Sequence, residues 1–174
     1  MRIHQEYASD LKKNPSFNQL PNELQEWIAN DILQNFEIRQ KIFRGKGVIV
    51  VPNRVSGYAL IETIIRLNPE FVDKVKVLSV SNSPQERTMI LEEFRHQSSP
   101  LSLIIVTANW LTGYDNPLIH SIYLLARISG VNLYQLVGRV SRLYPNKECG
   151  VVVDYLENDW NDLSDTFDQV EITI

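Results

Sequence analysis

The chain has 174 residues, 44% apolar and 22% charged, a length and composition that suit one soluble globular domain and exclude disordered, collagenous and membrane-embedded classes. Its formal net charge of −4 gives no global basic field for concentrating nucleic acid, and one cysteine, Cys149, cannot form an internal disulfide. The first twenty residues lack a signal peptide's apolar core, and no run approaches the ~20 apolar residues of a bilayer span, so a cytoplasmic location with no membrane partner is expected.

Apolar residues Leu24, Trp27, Ile28, Ile32, Leu33 and Phe36 recur at helical spacing after Pro21-Asn22, which predicts a helix to about Ile42 with Asn22 as its cap. Residues 1–44 thus read as a helical extension. Gly45-Lys46-Gly47 punctuates, and Val48–Val51 is a short apolar run of the kind a buried parallel strand requires. Residues 56–67 read as a helix and 75–80 as a strand. Ser83-Pro84-Gln85-Glu86 combines a capping serine, a first-turn proline and a reciprocal glutamate, opening a helix to about Arg95. Strands at 102–106, 121–125 and 150–155, a loop at 107–117 and a helix at about 132–143 complete an alternating pattern. The expected fold is α/β: a RecA-like, three-layer domain over residues 45–157, with a mostly parallel sheet and helices on both faces. An acidic tail, 158–174, leads toward a missing domain, and Val170–Ile174 reads as an edge strand or a stub. Asp159, Asp162, Asp165 and Asp168 lack the glycine and final glutamate of a calcium loop, and the scattered His4, His96 and His120 have no ligand spacing, so no metal site is expected. Glu37–Lys41 reads as a solvated helix face.

Two motifs carry chemistry. The strand ending at Val106 runs into Thr107, Gly113, Asp115 and Pro117 in the pattern T-x5-G-x-D-x-P, and Gln135, Gly138, Arg139 and Arg142 follow as Q-x-x-G-R-x-x-R. On a helix, Gln135, Arg139 and Arg142 fall within about 60° of one another, opposite Leu133, Leu136, Val137, Val140 and Tyr144. Two forked guanidinium groups on one face match phosphate oxygens. Gly138 beside them permits close approach of a neighbour.

The two motifs, in this order, resemble the fifth and sixth motifs of superfamily two helicases and translocases. Ser83-x-x-Glu86-Arg87-x-x-x-Leu91-x-x-Phe94 resembles a further segment of their second motor domain, although the histidine-glycine of many relatives is Val80-Ser81 here. No Gly-x4-Gly-Lys-Thr/Ser loop and no Asp-Glu box occurs in these residues, so the chain resembles the second RecA-like domain alone. Within the superfamily, Leu-Thr-Gly-Tyr-Asp-Asn-Pro and the later Asp154-Tyr155 are most similar to motor subunits of type I restriction enzymes, whose fifth motif reads much like L-L-T-G-F-D-A-P.

The resemblance implies an ATP-driven double-stranded DNA translocase that needs ATP and Mg2+ and acts only with a first domain, so that the chain alone would not hydrolyse ATP. It assigns Arg139 and Arg142 as fingers on the transferring phosphoryl group, Gln135 to the attacking water, Gly113, Asp115 and Gly138 to the nucleotide, with Asp115 near the ribose. Thr107, Asn53 and Arg54 fall to DNA phosphates. Its implied partners are double-stranded DNA, the rest of the restriction subunit, and methyltransferase and specificity subunits. Alternatives are another superfamily-two motor, of type III restriction or repair, and a RecA-like interaction module without catalysis.

Overall fold

The computed structural model of the chain describes residues 16–108, 114–128, 130–156, 158 and 170–173. Its strands are β1 (Lys46–Val51), β2 (Val75–Leu78), β3 (Leu103–Thr107), β4 (Ile119–Leu124), β5 (Gly150–Asp154) and β6 (Val170–Thr173), forming one sheet in the order β2-β3-β1-β4-β5-β6. All described pairings are parallel. The helices are α1 (Asn22–Ile42), α2 (Arg54–Leu67), α3 (Pro84–Arg95) and α4 (Gly130–Val140).

Every residue of β1, β4 and β5 is buried, which suits the apolar stretches Val48–Val51, Ile122–Leu124 and Val151–Val153 at their centres. Alternation along the strands then assigns each helix to a face. Ile49, Val51, Ile105, Tyr123 and Val153 pack with Leu24, Ile28, Ile32 and Phe36 of α1 and with Leu60 and Ile64 of α2. Val48, Val50, Ile104, Val106, Ile122 and Val152 pack with Phe94 of α3 and Leu133, Leu136, Val137 and Val140 of α4. This is the expected three-layer α/β architecture. The helix assigned to the extension therefore shares a core cluster with the sheet.

Buried polar groups fasten α1 further. Tyr155 donates its hydroxyl to Asp31 Oδ2 at 2.6 Å, and Tyr123 donates to Asn35 Oδ1 at 2.9 Å. Burial pushes both phenols up from their ordinary range. Among the described residues, no helix is long and apolar enough to cross a membrane.

Several boundaries differ from the sequence expectation for local reasons. Pro21, not Asn22, precedes the first helical residue of α1, and no side chain caps that end. α2 begins at Arg54 because Asn53 Oδ1 accepts from Ser56 N at 2.9 Å and caps it. β2 stops at Leu78, where Ser79 N turns to Asn82 Oδ1. α4 ends at Val140, so Arg142 and Tyr144 leave the helix and Tyr144 bridges Lys147 instead. Val170–Thr173 is the edge strand, parallel to β5. The 37–41 stretch is more than a solvated face: Arg39 Nη2 donates to the Cys149 carbonyl at 3.1 Å, and Gln40 Nε2 donates to the Gly45 carbonyl at 2.7 Å.

That Gln40 amide also fixes a protonation state. Its nitrogen stands 3.2 Å from His120 Nε2, so that imidazole nitrogen accepts, and Nδ1 carries the proton toward Ser121 Oγ at 2.5 Å. His120 is 1% exposed and stacked on Phe36, and burial first, then Arg39 and Lys147, pushes its pKa down to about 3. The folded chain thus binds fewer protons than the unfolded one between pH 6.5 and about 3. Its contribution is complete above pH 6.5 and declines as pH falls through that window, by up to about 5 kcal/mol. Urea titrations at successive pH values should show this acid limb, and His120→Gln should flatten it; an unchanged slope in the variant would place the titration elsewhere.

Gly150 opens β5 under the end of α4, where an added Cβ would lie 2.4 Å from the Val140 carbonyl oxygen and 2.5 Å from Val140 Cβ. Both neighbours are fixed by the helix backbone, so Gly150→Ala should destabilise by about 1–3 kcal/mol. A wild-type urea midpoint for that variant would contradict the close seating of α4 on β5.

Candidate nucleotide and nucleic-acid interface

The order β3-β1-β4 requires the chain to leave the C-terminal end of β3, pass β1, and start β4 again at the opposite end of the sheet. The start of β4 is fixed there because Ile119 aligns with Lys46, the first residue of β1, whose N–H donates to Leu118 O at 2.9 Å. The connection between Thr107 and Ile119 thus links two ends of the sheet that strand rise sets about 15 Å apart.

Its second half is anchored on α3. Tyr114 donates its hydroxyl to Leu91 O at 3.2 Å, and Asn116 Nδ2 donates to Phe94 O at 3.2 Å and reaches the Tyr114 hydroxyl at 3.3 Å. Asn116 Oδ1 accepts from Leu118 N at 3.1 Å, closing the turn into β4. The Arg95 guanidinium lies over the Tyr114 ring, and burial raises the phenol's pKa. The helix opening at Pro84 is capped as expected: Ser83 Oγ accepts from Glu86 N, and Glu86 Oε2 accepts from Ser83 N at 2.7 Å. Leu91 and Phe94, two apolar positions of that sequence motif, therefore hold the loop.

Against this anchored loop stand the two arginines. α4 buries Leu133, Leu136, Val137 and Val140, which leaves Gln135 exposed and Arg139 half-buried on its outer side. Arg139 Nη1 donates to the Tyr114 carbonyl. Burial, followed by the neighbouring charge of Arg142, lowers its guanidinium pKa, with Asp115 opposing. Its Nε is buried and finds no partner among the described residues. Arg142, just past the helix, donates from Nη1 to Asp115 Oδ2 at 2.7 Å, each side chain about half exposed. Arg139, Arg142 and Asp115 are thus gathered at one place, and a Cβ on Gly138 would meet nothing within 4 Å.

The other candidates lie apart. Asn53 and Arg54 follow β1 and Thr107 ends β3, and the register sets Val51 beside Thr107, so these residues share the C-terminal edge of the sheet. Arg54 is exposed and Thr107 partly so. Asn53 is engaged on both sides of its amide, capping α2 and donating to Ser16 Oγ at 2.6 Å. Gly113, with Trp110, lies outside the described residues. Among the described residues, no group of three or more His, Cys, Asp or Glu could hold a metal ion.

Two contributors escaped the sequence reading. Tyr114 acts through its carbonyl, which no residue type advertises. Lys147 looks like a solvated lysine in the polar turn Tyr144-Pro-Asn-Lys147, yet it is buried and its ammonium reaches Pro117 O and Arg142 O. The left-handed backbone of Asn146, φ 65°, which asparagine tolerates, is the one signal that a tight return was required.

The chain was compared with known proteins. Residues 57–157 match the family model described as type I restriction enzyme subunit R domain 3. The HindI endonuclease subunit of a type I restriction enzyme from Haemophilus influenzae is 31% identical over 150 residues, covering 74% of this chain and 14% of that protein. The MjaIXP endonuclease subunit from Methanocaldococcus jannaschii is 30% identical over 141 residues, covering 74% of this chain and 13% of the relative. The chain therefore spans about a seventh of the length of these relatives. In fold it is similar to a fragment of an HsdR subunit of a type I restriction enzyme from Vibrio vulnificus YJ016, with TM-score 0.71 and 18% identity over 95% of this chain and 32% of that one. It is also similar to the C-terminal domain of the DEAD-box protein Dbp5, with TM-score 0.58 and 20% identity over 83% of this chain and 81% of that one. A RecA-like sheet whose arginine helix closes on the loop after β3, matched by this family over more than half of its length, belongs to the type I restriction enzyme R subunit as its C-terminal helicase-like domain.

Proposed function

We propose that this domain is the second half of an ATP-driven double-stranded DNA translocase within a restriction subunit. The observation that carries the proposal is the gathering of Arg139 and Arg142 on one loop, Arg139 on the Tyr114 carbonyl and Arg142 on the Asp115 carboxylate. Finger arginines act by meeting charge on a transferring phosphoryl group from a position fixed beforehand. Two guanidinium groups tied to a single anchored loop suit that requirement.

Bound ATP would supply the phosphoryl group, with the phosphate-binding loop, its lysine and the Mg2+ ligands coming from a first domain; alone, this domain would not turn over. Within it, Arg139 and Arg142 would stabilise the developing charge, and Gln135, exposed one turn before Arg139, would orient the attacking water. Asp115 would face the ribose, since a carboxylate has more acceptor sites than one guanidinium N–H fills. Gly113 and Gly138 would allow close approach of the nucleotide and of the opposing domain. Thr107 and Arg54 would contact phosphates of the DNA from the other end of the sheet, while Asn53, whose amide is engaged at both ends, would hold the start of α2 beside them. The loop between Thr107 and Ile119 joins the two sets, so a change at the nucleotide end displaces a contact at the DNA end. The rest of the subunit, together with methyltransferase and specificity subunits, would complete the assembly.

The test is DNA-stimulated ATP hydrolysis by the full-length subunit, wild type beside Arg139→Ala, with circular dichroism establishing that both are folded. A loss of roughly 10³-fold or more is expected. An unchanged rate would place catalysis elsewhere and leave this domain a RecA-like interaction module. Gly138→Ala separates folding from function at the same helix. Alanine is favoured over glycine within helices by up to about 1 kcal/mol, and its methyl meets nothing in this domain, so the domain's melting temperature should hold or rise. Turnover of the full subunit should nevertheless fall, because the opposing domain approaches there; full turnover would mean that nothing does.

A further inference from the structure

Lys147 lies five residues beyond Arg142, yet it is 8% exposed. Its Nζ donates to Arg142 O at 2.8 Å and to Pro117 O at 3.0 Å. One acceptor belongs to the arginine motif and the other to the end of the anchored loop. The turn that returns Lys147 to this place is closed by Lys147 N donating to Tyr144 O at 3.0 Å and by the left-handed Asn146. A lysine in a surface turn ordinarily keeps its ammonium in water, and a buried ammonium is unfavourable unless its donors are met. Here two of the three are met by backbone that no residue type specifies.

Arg142 needs such a support. α4 ends at Val140, so helical hydrogen bonds no longer fix the Arg142 backbone, while Asp115 holds only its guanidinium. We propose that Lys147 is a positioning residue for Arg142, locking the backbone of the finger to the loop that carries Asp115. This rests on the reading of Arg142 as a finger.

The electrostatic surroundings make the lock sensitive to alkali. Burial first, then the charges of Arg142 and of Arg39 on α1, lower the Lys147 pKa to about 8, with Cys149 opposing. Lys147 acts electrostatically on the neutral His120 of β4, and Glu148 and Cys149 line the same small cleft as the lysine. Above that pH the amine keeps N–H donors but loses the charge that strengthens them.

The experiment uses the full-length subunit with ATP and duplex DNA, comparing wild type, Lys147→Met, Lys147→Arg, Arg142→Ala and the Lys147→Met/Arg142→Ala double variant from pH 6.5 to 9.5. Lys147→Met should lower kcat roughly 10- to 100-fold, the scale of a small misplacement of a catalytic group, with KM for ATP nearly unchanged. The double variant should be no slower than Arg142→Ala, because the lysine acts through the arginine. Wild type should lose rate on an alkaline limb near pH 8 that Lys147→Arg, charged throughout, does not show. A folded Lys147→Met with wild-type kcat, a change confined to KM, or additive losses in the double variant would overturn the proposal while a slow Arg142→Ala preserved the finger reading. If Lys147→Met does not fold, the alkaline limb decides: a limb retained in Lys147→Arg, or absent from wild type, overturns the proposal. A fully active Arg142→Ala would sink the finger reading itself and the proposal with it.

Discussion

The return of the chain from β3 to β4 is the constraint on which the site depends. Both strands flank β1 and run parallel to it, so the connection must travel the length of the sheet on one face. Tyr114, in its described second half, lies inside the hydrophobic cluster of α3 and α4. A segment seated in that place has its carbonyls turned toward α4, and Arg139 takes one of them. The connection thus starts at the strand terminus that carries Thr107 and ends beside two arginines.

Much of the fold was legible because its signals are local. Val48–Val51 is an apolar run too short for a helix, and Ser83–Glu86 writes both halves of a capping box. What the sequence concealed is decided between distant segments. Nothing in residues 22–42 announces that Asp31 meets Tyr155, just past β5, and Asn35 meets Tyr123 of β4, so a helix that belongs to the core cluster read as an extension. Ends were misplaced where side chains compete with the helix or strand for backbone groups, as Asn53 does at Ser56 and Asn82 at Ser79.

At the site, residue types in fixed spacing identified Arg139, Arg142 and Asp115 as candidates, and the fold places these three together. Helical geometry accounts for only one of the two arginines, however. A helical wheel puts Arg142 on the face of Arg139, but the helix has ended by then, and the ion pair with Asp115 together with the Lys147 contact brings the side chain to the same place. Asn53 shows the opposite limit. A short polar residue after a buried strand reads equally as ligand contact or cap, and only coordinates reveal the cap.

Net charge says little about any one place on the surface. A total of −4 denies the domain a global basic field, yet the local potential depends on what neutralises each cation nearby. Around the arginine helix the partners are chiefly backbone carbonyls: Arg139 holds Tyr114 O, Lys147 holds Pro117 O and Arg142 O, and Arg39 holds Cys149 O. A carbonyl satisfies a donor but cancels no charge. Lys46, which donates to Leu101 O and Ser99 O, follows the same pattern beneath α3, where burial, reinforced by Arg44, lowers its pKa to about 8. Carboxylate partners would have stabilised these cations better and left the region neutral. Carbonyl partners meet the donors and leave the charges in place, while burial lowers the pKa of Arg139, Lys147 and Lys46.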